Sequence, residues 1–402
     1  MLVTGRSDDK EAFNGGRFTR CQAQSRLFAL GAATGMLLLA ACAQAAGERL
    51  EVGPNKELKT LSAASMVAKD GDLIEVEAGD YVADVATWKQ NEIVIRARNG
   101  RVRLVASGAA AEAKAIWVVR GGKLTVEGFD FVGAKVKDKN GAGIRLEKGR
   151  LSVVDCGFFD NENGILTGGD AESTLEIQNS EFGNNGHGDG QSHNLYVGAI
   201  AMLKVTGSYF HHARVGHLLK SRAAQNLIYY NRLTDETGGR ASYELEFPAG
   251  GLAYVVGNII QQSSSTENPH IISFGVEGYR HPENRLYLVN NTLVDLRPKG
   301  GIFLRVKPGA DVFAMNNLLL GSGSLDKAGP GEYKNNFNVD FDEFVRVLRE
   351  DYRLRPSSAL IGKAMAVNVA GGIGLTPLAE YQHPRSIRRL QGGARNPGAI
   401  QQ

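Results

Sequence analysis

Cysteine is scarce in this chain of 402 residues, and its three copies are placed so that no disulfide can staple the body. Cys21 and Cys42 fall within the first 45 residues, which leaves Cys156 alone in the remainder, where it reads as a small packed side chain. Net charge is scarce as well. Against 46 Lys and Arg stand 43 Asp and Glu, and residues 1–45 hold five of the basic and three of the acidic side chains, so the rest carries 41 against 40. That balance excludes a globally basic nucleic-acid binder, and any attraction for a polyanion has to be local. Long apolar runs are missing too. The one run of note, Leu27 to Ala41, is too short to span a bilayer and has the length of a signal-peptide core. Although glycine is abundant at 50 residues, it follows no three-residue period, which excludes collagen.

Two processing sites compete behind the apolar run. Leu39-Ala40-Ala41-Cys42 matches a lipobox, in which Cys42 becomes the acylated first residue, and Ala43-Gln44-Ala45 fits ordinary signal cleavage. Either route exports the protein, to the periplasm, to an outer-membrane lipid anchor or beyond the cell. The expected division is a leader over 1–45, a single solenoid domain with its caps over 46–370, and a partly disordered tail over 371–402.

What is present is a ladder of turns rich in Asn and Gly, each followed by an apolar pair and a short strand. It includes Asn179-Ser180-Glu181-Phe182, Tyr230-Asn231-Arg232-Leu233, Asn290-Asn291-Thr292-Leu293 and Asn316-Asn317-Leu318-Leu319. The last members, Phe131, Phe159, Phe182, Phe210, Leu233, Ile260, Leu293 and Leu319, recur at intervals of 23 to 33 residues. Such a period, with β-branched and aromatic runs between, predicts a solenoid of about ten β-coils. Leu58, Leu61, Ala64 and Met66-Val67 predict an amphipathic helix covering the first coil. Phe344 to Leu348 and Asp351 to Leu354 predict a last coil and its plug.

Polar residues that corners do not explain concentrate between 187 and 247. Because equivalent residues on successive coils lie about 4.8 Å apart, groups distant in number become neighbours. Strand alternation predicts an outer row of Tyr196, Lys220, Glu244 and Glu246, with the two glutamates about 7 Å apart. His193 and Asn194 open one strand, Arg222 follows another, and Tyr243 adjoins a third. Arg240 approaches from the loop Thr234 to Arg240. Calcium is a possible ligand of Asp189, Glu244 or Glu246, since it prefers carboxylate oxygens. A zinc triad of His187, His193 and His217 lacks tight ligand spacing.

These types together suit β-elimination on a uronic-acid polymer. Arginine neutralises the carboxylate, Lys or His removes the C5 proton, and Tyr or His protonates the leaving O4. Lys220, Arg240, Tyr243, His193 and His217 are the catalytic candidates, and Asn194, Tyr196, Arg222, Glu244 and Glu246 the substrate-binding ones. Glu244 and Glu246 at 7 Å would also suit an inverting glycoside hydrolase. A non-catalytic polysaccharide-binding protein and a structural or adhesive solenoid stay open as further readings.

The coil ladder over residues 70–365 resembles the right-handed parallel β-helix superfamily, which includes pectate lyases, chondroitinase B and alginate lyases. That resemblance implies an all-β fold, a right hand and an N-terminal helical cap. At the site, Lys220-Ser221 with Arg240 about one coil later is similar to the chondroitinase B and alginate lyase family, which implies Lys220 as base and Arg240 as its partner. The family also implies calcium held by Asn and two glutamates. Here the glutamate pair follows the lysine, and the Asp-Pro-His-Glu string of alginate epimerases is absent.

With the native leader, an exported product is expected, with Cys42 acylated and membrane-bound if the lipobox is the site used. Unchanged partitioning of Cys42→Ser would remove the lipid anchor and leave export intact.

Overall fold

The computed structural model describes residues 47–325 and 330–401, so the leader and Cys42 lie outside the described residues. Each coil consists of three short parallel strands joined by turns. One coil contributes Met202–Thr206, Tyr209–His211 and Leu219–Ser221, and the next contributes Gln225–Tyr229, Arg232–Thr234 and Leu245–Phe247. The third strands of successive coils stack into a ten-stranded parallel sheet, hereafter the groove face. The other two faces merge into one 21-stranded sheet, because Leu73–Val82 and Glu92–Val105 run around their shared corner unbroken. The chain is a parallel β-helix of about ten coils.

Alternation explains the strands. In Thr174–Gln178, Leu175 and Ile177 point into the prism while Glu176 points out to Lys204 on the next coil. Down the interior, Phe131, Phe158, Phe182 and Phe210 stack with ring centroids 5.1, 4.6 and 4.6 Å apart. The register aligns Phe158, not Phe159, with Phe131 and Phe182. The expected ladder therefore slips by one residue at this coil, and Phe159 points outward.

The Asn-rich turns have a division of labour. The first residue adopts left-handed backbone, as at Asn179 (φ 49°), Asn290 (φ 51°) and Asn316 (φ 60°), where Asn or Gly costs least. The second residue points inward along the rod. The N–H groups of Ser208, Asn231, Asn258 and Asn291 each donate at 2.9 Å to the Asn side-chain oxygen one coil further on. Cys156 stands earlier on the same ladder, receiving Ser180 Oγ at its N–H. It is a free thiol with no exposure, and burial pushes it up to about 12, so it is packing and not a nucleophile.

Three expectations need correction. The helix Leu61–Val67 forms behind Thr60 and buries Leu61 and Ala64, but Met66 and Val67 are exposed. Phe344–Arg346 and Asp351–Leu354 pair antiparallel, so they do not make another coil. The tail is ordered: Ala379–Gln382 pairs antiparallel with Ser386–Arg389, and Leu375, Tyr381 and Ala399 are buried. Its polar composition hid these few apolar residues, which cover outward-facing Tyr254, Tyr287, Val294 and Leu318 on the coils.

Phe182→Ala is expected to lower unfolding free energy by about 3–5 kcal/mol, because neighbouring coils are too rigid to close the gap. Chemical denaturation measures it, and a loss below about 1 kcal/mol would mean that the ring stack is not a principal support.

Candidate functional site

On the groove face the in-register outward row runs Arg145, Leu166, Tyr196, Lys220, Glu246, Ser273 and Arg305. Inward Leu195, Leu219 and Leu245 fix this phase, so Tyr196, Lys220 and Glu246 project from one surface. Lys220 Nζ lies 3.1 Å from Glu246 Oε2 and 3.2 Å from Glu277 Oε1. Arg222 grips the same Glu277 with Nη2 at 2.8 and 2.7 Å from its two oxygens, and its Nη1 donates to the Tyr196 hydroxyl at 2.8 Å. One carboxylate is thus held jointly by a guanidinium and an ammonium.

Behind this row stands a stack of rings, one per coil, at the start of the groove-face strands. His193 and His217 lie 4.4 Å apart between centroids, His217 and Tyr243 5.0 Å, and Tyr243 and His270 6.1 Å. His193 Nδ1 accepts the backbone N–H of His217 at 2.9 Å, which assigns any hydrogen of its neutral ring to Nε2. Burial, with the charges of His217, Lys220 and Arg222, holds its pKa well below the ordinary imidazole range. Burial likewise lowers His217, against the opposing pull of Glu246. Its Nε2 lies 2.9 Å from Glu246 Oε2, so the neutral ring donates from Nε2 and leaves a lone pair on Nδ1, an atom with no hydrogen-bond partner among the described residues. Burial acts to raise Glu246, yet the hydrogen bond from His217 and the ammonium of Lys220 hold it below the usual carboxylate range.

Other expected residues are placed differently. Asn194 is fully buried as part of a corner amide ladder: its Oδ1 accepts from Asn185 Nδ2 at 2.8 Å and its Nδ2 donates to His211 O at 2.8 Å. It is a fold residue, not a substrate ligand. Glu244 does not share the outer face with Glu246. The strand begins at Leu245, so alternation does not extend to Glu244, and its side chain is fully buried. Burial, then the charge of Asp235, push it well above the ordinary range, and neither of its carboxyl oxygens has a side-chain partner among the described residues. Arg240 is exposed in the loop and lines hollows with Arg214, Val215 and Glu267, none of which borders the Tyr196–Arg222 cleft.

The cation candidates do not converge either. Glu246 is engaged by His217 and Lys220, Glu244 is buried in its corner, and Asp189 accepts the N–H of Gln191 on an exposed loop. Among the described residues no group of three His, Cys, Asp or Glu is arranged to hold a metal ion, and Asp189, Glu244 and Glu246 have separate surroundings. Two participants escaped sequence reasoning. Glu277 lies in the turn Gly275-Val276-Glu277-Gly278, and no local signal says that this loop folds back across two coils. Arg145 lies three coils before Lys220, at the far end of a cleft of about 570 Å³ that also borders Leu166, Tyr196 and Arg222.

This architecture defines the chain as a parallel β-helix with one charged, aromatic groove face. No sequence-family description and no curated protein matches it. Among solved structures it is similar to the crystal structure of pectate lyase Pel9A, with a TM-score of 0.56 and 14% identity, covering 88% of this chain and 96% of that one. That likeness shows the fold, a right-handed parallel β-helix.

The buried acids give a pH signature. Burial pushes Asp235 up to about 7, above its unfolded value of about 3.9. The folded state then binds more protons than the unfolded state, so stability is fully present at low pH and is lost as pH rises from about 4 through 7. Asp235→Asn and Glu244→Gln are expected to flatten that fall in thermal scans, and an unchanged slope in both would refute it.

Proposed function

We propose that this protein is a polysaccharide lyase that cleaves a uronic-acid polymer by β-elimination. One observation carries the reading: Lys220 and Arg222 stand side by side on the groove face and together hold a carboxylate, that of Glu277. Paired cations of this kind suit the carboxylate of a uronic acid, and bidentate arginine binding gives it orientation as well as charge. The fold likeness to a pectate lyase supports the same class.

In this reading Arg222 takes the sugar carboxylate and makes the C5 hydrogen acidic. Lys220, acting through its free amine, removes that hydrogen and becomes an ammonium held by Glu246. The electron pair forms the C4–C5 double bond as the C4–O4 bond breaks, and O4 takes a proton from the Tyr196 hydroxyl. Tyr196 suits that role because Arg222 donates to its oxygen and leaves its hydrogen free. His217, bonded to Glu246, orients the carboxylate that serves Lys220. No water is consumed, and the product is unsaturated. Hydrolysis by Glu244 with Glu246 loses its basis, since the two carboxyls have separate surroundings. With export by the leader, the reaction would take place outside the cytoplasm, on polymer passing through or being taken in.

Purified protein incubated with polygalacturonate, alginate and hyaluronate is expected to generate the ultraviolet absorbance of a C4–C5 double bond with at least one of them. Lys220→Ala is expected to reduce the rate at least about a hundredfold with its circular dichroism unchanged. New reducing ends without that absorbance would sink the elimination mechanism, and full activity of Lys220→Ala would remove the lysine as base.

A further inference from the structure

The cleft at Arg145 carries chemistry that the reacting pair does not use. Arg145 is on the same outward row as Tyr196, by way of Leu166. Its Nε lies 3.4 Å from Glu147, but Lys114 already meets that carboxylate at 2.5 Å. The Arg145 Nε makes no hydrogen bond of good geometry, and the pair with Glu147 is the one ion pair of Arg145 among the described residues. Arg222, at the other end of the cleft, is by contrast saturated by Glu277 and Tyr196. A partly covered guanidinium whose one ion-pair partner is shared with Lys114, at the edge of a cleft of about 570 Å³, can take an anion from outside.

The remaining lining narrows the ligand. Leu166 and the Tyr196 ring make an apolar and aromatic floor suited to the flat face of a sugar ring. Asp138, Lys139, Asn140 and Asp189 line the same cleft, so sugar hydroxyls find both acceptors and donors there. Three coil steps separate Arg145 from Lys220, about 14 Å along the rod. One ring does not span that distance, but an oligosaccharide does.

We infer that the cleft between Arg145 and Tyr196 is a second sugar position of the groove, where Arg145 binds the carboxylate of a uronic acid in the chain whose reacting unit sits at Lys220. The inference rests on the lyase reading for the reacting unit, and the binding is tested apart from cleavage. Titration calorimetry at low salt would use galacturonate, mannuronate and hyaluronan oligomers of graded length. Arg145→Gln is expected to weaken the longer oligomers about tenfold or more and to spare those too short to reach from Lys220 to the cleft. Gly169→Trp is an independent obstruction, because a Cβ at Gly169 meets open space on the cleft wall. It should produce the same length-dependent loss if Arg145→Gln fails to fold. Wild-type affinity of both variants for long oligomers would overturn the inference, as would an equal loss at every length. No binding of any uronide by the wild type would overturn it together with the lyase reading. Length-dependent binding through Arg145 without unsaturated product would uphold the sugar position and reject the lyase reading alone.

Discussion

Hydrogen bonds that run along the rod axis set everything else in this protein. At the sharp corner each backbone N–H is satisfied by a serine or asparagine side chain one coil further on, and each asparagine amide also donates to the next oxygen. A buried amide pair of this kind is costly to break and tolerates no slip, since a half-satisfied ladder strands several polar groups at once. Register at the corner then dictates register on the groove face. A one-residue shift there would send Lys220 inward and Leu219 to the surface.

The groove is a place of compensated charge. Lys220 lies between Glu246 and Glu277, Arg222 between Glu277 and Tyr196, and the imidazoles behind them are kept neutral by burial. Such a surface exerts little long-range attraction, in keeping with the balanced composition of the whole chain. Under the proposed function its selectivity would come from direction: donors are already oriented, so an incoming carboxylate would replace an internal one and no new cationic site would have to be assembled.

What could be read in the sequence follows from how far a local rule extends. The coil period and the interior aromatic ladder were legible because every coil repeats them, and even there Phe158 and Phe159 exchanged places where two adjacent rings left the phase open. Alternation located Tyr196, Lys220 and Glu246 because each is flanked by inward Leu or Val within a regular strand. It failed at Glu244, one residue before a strand begins, and at Asn194, whose amide serves a corner. Arg240 was drawn toward the site by its distance in number from Lys220 and by the family resemblance, since the sequence does not reveal where a loop lies against the coils. Glu277 and Arg145 meet the site across two and three coils, a relation that only stacking creates.

The C-terminal tail has a consequence for how the rod comes apart. Solenoids ordinarily fray from an open end, losing one repeat at a time. Here the tail returns along the coils, with Gly398 bonded to Asn316, Ala399 to Thr292, Leu378 to Tyr230, and Arg385 paired with Asp155 and Glu181. The last coil cannot peel away without releasing a strap fastened to coils far upstream. The stretch from Asp155 to Asn316, which contains Tyr196, Lys220, Arg222, Glu246 and Glu277, is therefore bound into one cooperative block, and the site shares the fate of the fold instead of the looseness of its end.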